Sequence, residues 1–147
     1  MYWAPEDYRL AALERIGESD GMRRHGHFSV SVYLAGLAAE STLRAFHHPD
    51  RPFDERHNLE ILFGNCDLDR LGEKARQRLR GPLQTAHLLW SSLFRFAHEG
   101  MIRRHLHRAR LDWDVARNSD PLRVKCGKLF DACAEIVIVG ERRWTRN

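Results

Sequence analysis

The densest chemistry in the sequence is basic. Met101 to Arg110 reads MIRRHLHRAR, with Arg103, Arg104, Arg108 and Arg110 beside His105 and His107, and no acid. Charge packed this closely attracts phosphate backbones. An imidazole beside an Arg can also move a proton next to a bound phosphate. The plain alternative is a solvated basic loop. Further on, Arg117 and Asn118 stand just before Ser119-Asp120-Pro121, a capping side chain followed by Pro at the first helical position. A helix starting there turns its unpaired N–H groups and positive dipole end towards an anion, and Arg117 adds a planar fork of donors. Arg117, Asn118, Arg103, Arg104 and Arg108 are therefore the candidate ligand-binding residues. Arg117, His105 and His107 are the candidates for catalysis.

Other reactive residue types carry less. The nine histidines include two H-x-H pairs, His25/His27 and His105/His107. On a helix such rings diverge by about 160°. Neither pair has Cys or a carboxylate at a recognised ligand spacing, so surface or turn histidines are expected and no metal or cofactor is assigned. HExxH, P-loop, GxGxxG and GxSxG patterns are absent. Arg51 and His57 are separated by five residues in a loop, a spacing read as chance. Cys66, Cys126 and Cys133 form no CxxC motif. Cys126 and Cys133 on one helix would stand about 10.5 Å apart along it, too far for a disulfide. Buried free thiols, suited to a reducing compartment, are the expectation.

The remaining candidate is Glu40, within FSVSVYLAGLAAESTLRAF, Phe28 to Phe46. As a helix this stretch is apolar on nearly every side, which marks a buried element. Glu40 falls on its apolar face below Tyr33 and Leu37, so it needs a partner or a proton. Arg44, one turn on, is the obvious partner, and a structural ion pair is expected rather than a direct catalytic role. Gly36 costs a helix about 1 kcal/mol relative to Ala. The return expected is close approach of a neighbouring backbone, helped by Ala35, Ala38 and Ala39.

Composition bounds the partners. The 147 residues, 43% hydrophobic and 30% charged, fit one globular domain, 1–147. No stretch approaches the ~20 apolar residues of a membrane span, and the acidic start MYWAPEDY lacks a signal-peptide core. A cytoplasmic protein with no membrane partner is expected. Net charge is −5 over residues 1–69 and +9 over residues 70–147, so the second half is the face for an anionic partner. Three of the 24 basic residues are Lys; Arg suits bidentate phosphate contact, although coding bias would also produce such a ratio.

The elements that must position these residues read as helices. The first begins at Pro5 and ends at Gly17 or frays on to Arg24, with HGHF as the turn. The apolar helix follows, then a loop at HPDRPFDE. A short helix is expected over about 55–63, ending at Gly64-Asn65. A charged surface helix is expected over 67–80. Gly81-Pro82 should kink or divide the chain. Leu79, Leu83, Ala86, Trp90, Leu93 and Ala97 then predict one long helix to Glu99-Gly100. Residues 101–118 look least regular, a helical turn and then a loop. The last helix carries Leu122, Cys126, Leu129, Cys133 and Ile136 on one stripe and should close at Gly140, leaving ERRWTRN as a basic tail. The β-branched IVIV at 136–139 is read as the end of that helix. The fold class is all-α, an antiparallel bundle of four to five helices.

The stretch YLAGLAAESTLRAF resembles the signature helix of the HEPN family, the higher-eukaryote and prokaryote nucleotide-binding domains. Tyr33, Ala35, Gly36, Ala38, Glu40 and Arg44 fill its aromatic, small, acidic and basic places. HNLEIL, 57–62, is similar to the opening of that family's third helix. The resemblance implies a HEPN-like bundle that homodimerises and, in prokaryotes, pairs with a small nucleotidyltransferase in toxin–antitoxin modules. Active toxic members are metal-independent ribonucleases whose motif is Arg, a polar residue, a few more residues and then His. Arg117-Asn118 sits where that motif begins, but no His follows His107 anywhere in the chain. The resulting expectation is a binding module that contacts a nucleotide, an RNA or a nucleotidyltransferase. The alternatives are a divergent ribonuclease with a relocated His105 or His107, and a purely structural assembly protein.

Overall fold

The computed structural model describes residues 3–146. Met1 and Tyr2 of the MYWAPEDY start, and Asn147 of the C-terminal stretch, lie outside the described residues. The protein is an all-α bundle. Four helices carry it: α1 (Pro5–Arg24), α2 (Phe28–Ala45), α5 (Glu73–Leu89) and α7 (Pro121–Arg146). The short helices α3 (Leu59–Gly64), α4 (Leu68–Leu71) and α6 (Glu99–Arg108), and a 3-10 turn at Ser92–Phe96, fill the connections.

The apolar stretch is the central helix, as its composition requires. In α2, Ala35, Ala38 and Ala39 have no exposed surface, and the helix packs on α1 on one side and α7 on the other. A tight turn returns α1 onto α2, and two serines lock the pair. Ser19 Oγ donates to the Ser31 carbonyl at 2.8 Å, and Ser31 Oγ donates to the Ser19 carbonyl at 2.9 Å. Both serines are fully buried, so each hydroxyl needs the other's carbonyl. This contact carries α1 past Gly17 to Arg24.

Two glycines have a different role from the one their positions suggest. At Gly36 the neighbour is not a backbone but the Trp90 indole, which fills the space a Cβ would take. Gly140 does not end α7. A Cβ there would clash with the Thr42 side chain of α2, so this glycine lets α2 and α7 approach, and the helix runs on to Arg146. The expected basic tail is therefore helix. Arg143 Nη2 donates to the Arg70 carbonyl at 3.0 Å, and Trp144 meets Phe46 edge-on at 5.8 Å. Leu122, Cys126, Leu129, Cys133 and Ile136 form the buried stripe that their spacing predicts.

Five further expectations are corrected. Pro82 neither breaks nor divides α5. Leu79, Leu83 and Ala86 are buried on both sides of it, and Arg78, whose carbonyl loses its donor, is exposed and can be hydrated. The helix ends instead at Leu89. Trp90 is extended so that its ring reaches Gly36, and Ser91 Oγ caps the 3-10 turn through Leu93 N at 3.2 Å. Leu93 is consequently 70% exposed rather than part of a heptad stripe. The segment 67–80 splits into α4 and α5 at Gly72, and it buries Leu71, Ala75 and Leu79 rather than lying on the surface. Residues 99–108 form a full helix, anchored by Ile102 and Leu106 one turn apart, and α3 starts only at Leu59, where Asn58 caps Glu60 N and Ile61 N.

All three cysteines are free and buried, as expected. Burial pushes the Cys66 thiol up to about 12 and raises Cys133 and Cys126 as well, so these thiols are inert.

The glycine geometry gives a paired prediction. Gly36→Ala forces a methyl into the Trp90 ring and should destabilise the protein by about 1–3 kcal/mol. Gly17→Ala, exposed and with nothing within 4 Å, should stabilise it by about 1 kcal/mol through helix propensity. Urea unfolding of the two variants checks both signs.

Candidate functional site

Two regions hold the chemistry. The first is the basic segment read from the sequence. Arg104, His105 and Arg108, together with Met101 and Ala109, line an open groove of about 380 Å³ on α6, with no carboxylate among them. His105 rests edge-on against Phe94 at 5.6 Å. Arg103 lies elsewhere on the helix and is already engaged. Its guanidinium forms a two-pronged pair with Asp120 and lies 3.9 Å from Glu99. His107 Nδ1 is 3.1 Å from an Asp112 carboxylate oxygen.

Asp120 occupies the start of α7. Its carboxylate accepts from Leu122 N at 3.2 Å while holding Arg103. The positive end of that helix is thus met by the protein's own anion. The Arg103 hydrogen bond, the largest cause, keeps the Asp120 carboxyl below the usual range. Arg117 and Asn118 lie outside this cap, exposed on the preceding loop, and Arg117 forms no ion pair among the described residues. The fold therefore gathers Arg104, His105 and Arg108, ties Arg103 to the α7 cap, and leaves Arg117 and Asn118 on a separate stretch. Between them, Arg110 stacks over the Trp113 ring at 4.8 Å, and that indole is 68% exposed.

The second region surrounds Glu40 and Arg44, which pair as their spacing predicts. Arg44 Nε donates to Glu40 Oε1 at 2.9 Å, with each side chain 7% exposed. Arg44 reaches further than the pair. Its Nη1 donates to the Asp54 carbonyl at 2.9 Å, its Nη2 to the Arg56 carbonyl at 3.3 Å, and its guanidinium lies over Phe53 at 4.6 Å. His57 Nδ1 stands 3.0 and 3.1 Å from the two Glu40 oxygens. Those oxygens only accept, so Nδ1 carries the proton and Nε2 is the ring nitrogen left over. One buried carboxylate thereby pins both an arginine and a histidine, and through them the whole loop 46–58.

That loop separates two cavities. On the His57 side, about 280 Å³ lies between Arg56, His57 and Asn58 and the α5 end at His87, Trp90 and Ser91. On the Phe53 side, about 590 Å³ opens between the loop, the start of α1 and α4, walled by Trp3, Tyr8, Arg51, Phe53 and Arg70. Sequence reasoning missed both. It read His57 only as the start of a helix and Arg51 as incidental. The legible signal was HPDRPFDE itself, where prolines, an arginine and an aromatic alternate in one short loop.

Among the described residues no group of three or more His, Cys, Asp or Glu is placed to hold a metal ion, and no helix is long and apolar enough to cross a membrane. No family model, no curated protein and no solved structure matches the chain.

Asp120 yields a pH prediction. A carboxyl whose folded value is lowered stabilises the fold above its unfolded value, and that contribution disappears as pH falls through the folded one. Asp120→Ala also removes the α7 cap, worth about 1 kcal/mol. Its destabilisation should be full at about pH 7 and shrink below about pH 3, as thermal melts of variant and wild type at both pH values would show.

Proposed function

We propose that the chain is a HEPN-like, non-enzymatic binding module that contacts RNA through the basic face of α6 and the loop following it. The observation that carries this reading is the α6 groove. Two arginines and a histidine line it without a carboxylate, in the half of the chain that carries the net positive charge. Arginines supply the sequence-independent attraction to phosphates. The exposed Trp113, held by Arg110, adds a ring on which a base can stack. Arg117 and Asn118, exposed on the same loop, extend the face, while Arg103 contributes mainly by holding α7 in place.

Binding without cleavage is the preferred form of the proposal. No acid orients His105, whose ring leans on Phe94, and His107, which Asp112 does orient, is not among the residues that line the groove. The proposal includes a homodimer and pairing with a small nucleotidyltransferase, both on the resemblance of the central helix alone. The exposed Leu93 and Phe96, 70% and 69% accessible on the 3-10 turn beside α6, supply apolar surface for such a contact.

The test is binding of a fluorescent single-stranded RNA across a salt series, in the absence of metal. Arg104→Ala/Arg108→Ala should weaken binding and lower the salt slope by about 0.7 per lost phosphate contact. Arg117→Ala should weaken it less, and the RNA should remain intact throughout. Unchanged affinity in the double variant would reject the assigned face, and cleavage abolished by His105→Ala would establish the ribonuclease instead.

A further inference from the structure

The 590 Å³ cavity beside loop 46–58 belongs to no part of the α6 face, and its walls have their own chemistry. Pro5, Pro49 and Pro52 stiffen it. Among the described residues its charged lining is cationic, Arg44, Arg51 and Arg70 with His47. Most of these groups are already committed. Arg44 is held by Glu40 and two carbonyls, Arg70 lies over the Phe46 and Trp144 rings, and His47 Nε2 meets the Arg51 carbonyl at 2.9 Å. Phe53 has its face covered by Arg44.

Two side chains at the rim are not committed. The Trp3 indole is 64% exposed and makes no ring contact among the described residues, and the Arg51 guanidinium, also exposed, makes no ion pair among them. A large exposed indole, and a guanidinium with no ion pair among the described residues, thus flank a cavity of ligand size. A flat ring stacks on the one, and a phosphate or carboxylate accepts the fork of the other.

We propose that this cavity binds a small aromatic anion, a planar ring bearing a phosphate or carboxylate, with Trp3 stacking on the ring and Arg51 holding the charge.

Isothermal titration of the full chain with adenosine monophosphate, phenyl phosphate and benzoate tests this, with adenosine and inorganic phosphate as half-ligands. At least one of the three ring-bearing anions should bind saturably below about 1 mM, and its ring-only and charge-only counterparts about tenfold more weakly or not at all. Comparison of phenyl phosphate with benzoate assigns the anion, and comparison with adenosine monophosphate assigns the ring. Arg51→Ala and Trp3→Ala, both at exposed positions, should each weaken that binding about tenfold with unchanged circular dichroism melts. No saturable binding, phosphate alone binding as well as the ring-bearing anion, or affinity untouched in both variants would overturn the proposal. Arg104→Ala/Arg108→Ala should leave this binding intact, so failure here and failure of the RNA face are told apart.

Discussion

The constraint on which the rest of the molecule depends is the burial of Glu40 in the least polar of the four long helices. An ionised carboxylate at that depth is expensive unless it is paired and hydrogen-bonded. The fold meets the requirement with Arg44 from the same helix and His57 from the far end of the loop. Because Arg44 also bonds the carbonyls of Asp54 and Arg56, neutralising one charge determines the path of a segment that has no regular structure of its own. Loop 46–58 is further tied at its base, where Asp67 N donates to the Phe46 carbonyl at 2.7 Å and His48 N to the Asn65 carbonyl at 2.9 Å. The ion pair and these backbone contacts together turn a proline-rich loop into a rigid wall.

That wall divides two of the candidate sites. Its His57 side faces the end of α5, where Trp90 leaves the helix to cover Gly36, and its Phe53 side faces the start of α1. The basic α6 groove is a third, separate place, set by Ile102 and Leu106 in the core and by the Arg103–Asp120 pair that fastens α6 to the start of α7. The α6 arginines divide accordingly: Arg103 is tied to Asp120, while Arg104 and Arg108 form no ion pair among the described residues.

What the sequence made legible was local periodicity. The α2 core, the α7 stripe, the Glu40–Arg44 pair and the start of α7 all follow from residue spacing within one helix. What it hid was long-range contact. Gly140 reads as a helix stop until Thr42 is seen pressed against it, and Pro82 reads as a break until buried Leu79 and Leu83 are seen holding both halves in line. Trp90 and Leu93 fit a heptad, but the indole finds its place over Gly36 of another helix and the register is lost there. The candidate sites show the same division. The basic α6 segment was visible as composition, whereas the meeting of His57 with Glu40, and of Trp3 with Arg51 around one cavity, joins residues 17 and 48 positions apart.

The central claim, that Glu40 holds the loop through Arg44 and His57, is tested most directly by hydrogen exchange in a Glu40→Ala variant. The substitution leaves Arg44 buried without its anion, and global stability should fall by about 3 kcal/mol. At conditions where the variant remains folded, the amides of Arg51 and Arg56, which bond within the loop, should lose protection well beyond that global change, while those of α1 and α7 should follow it. Loop amides that exchange no faster than the rest of the molecule, in a variant as stable as the wild type, would contradict the account.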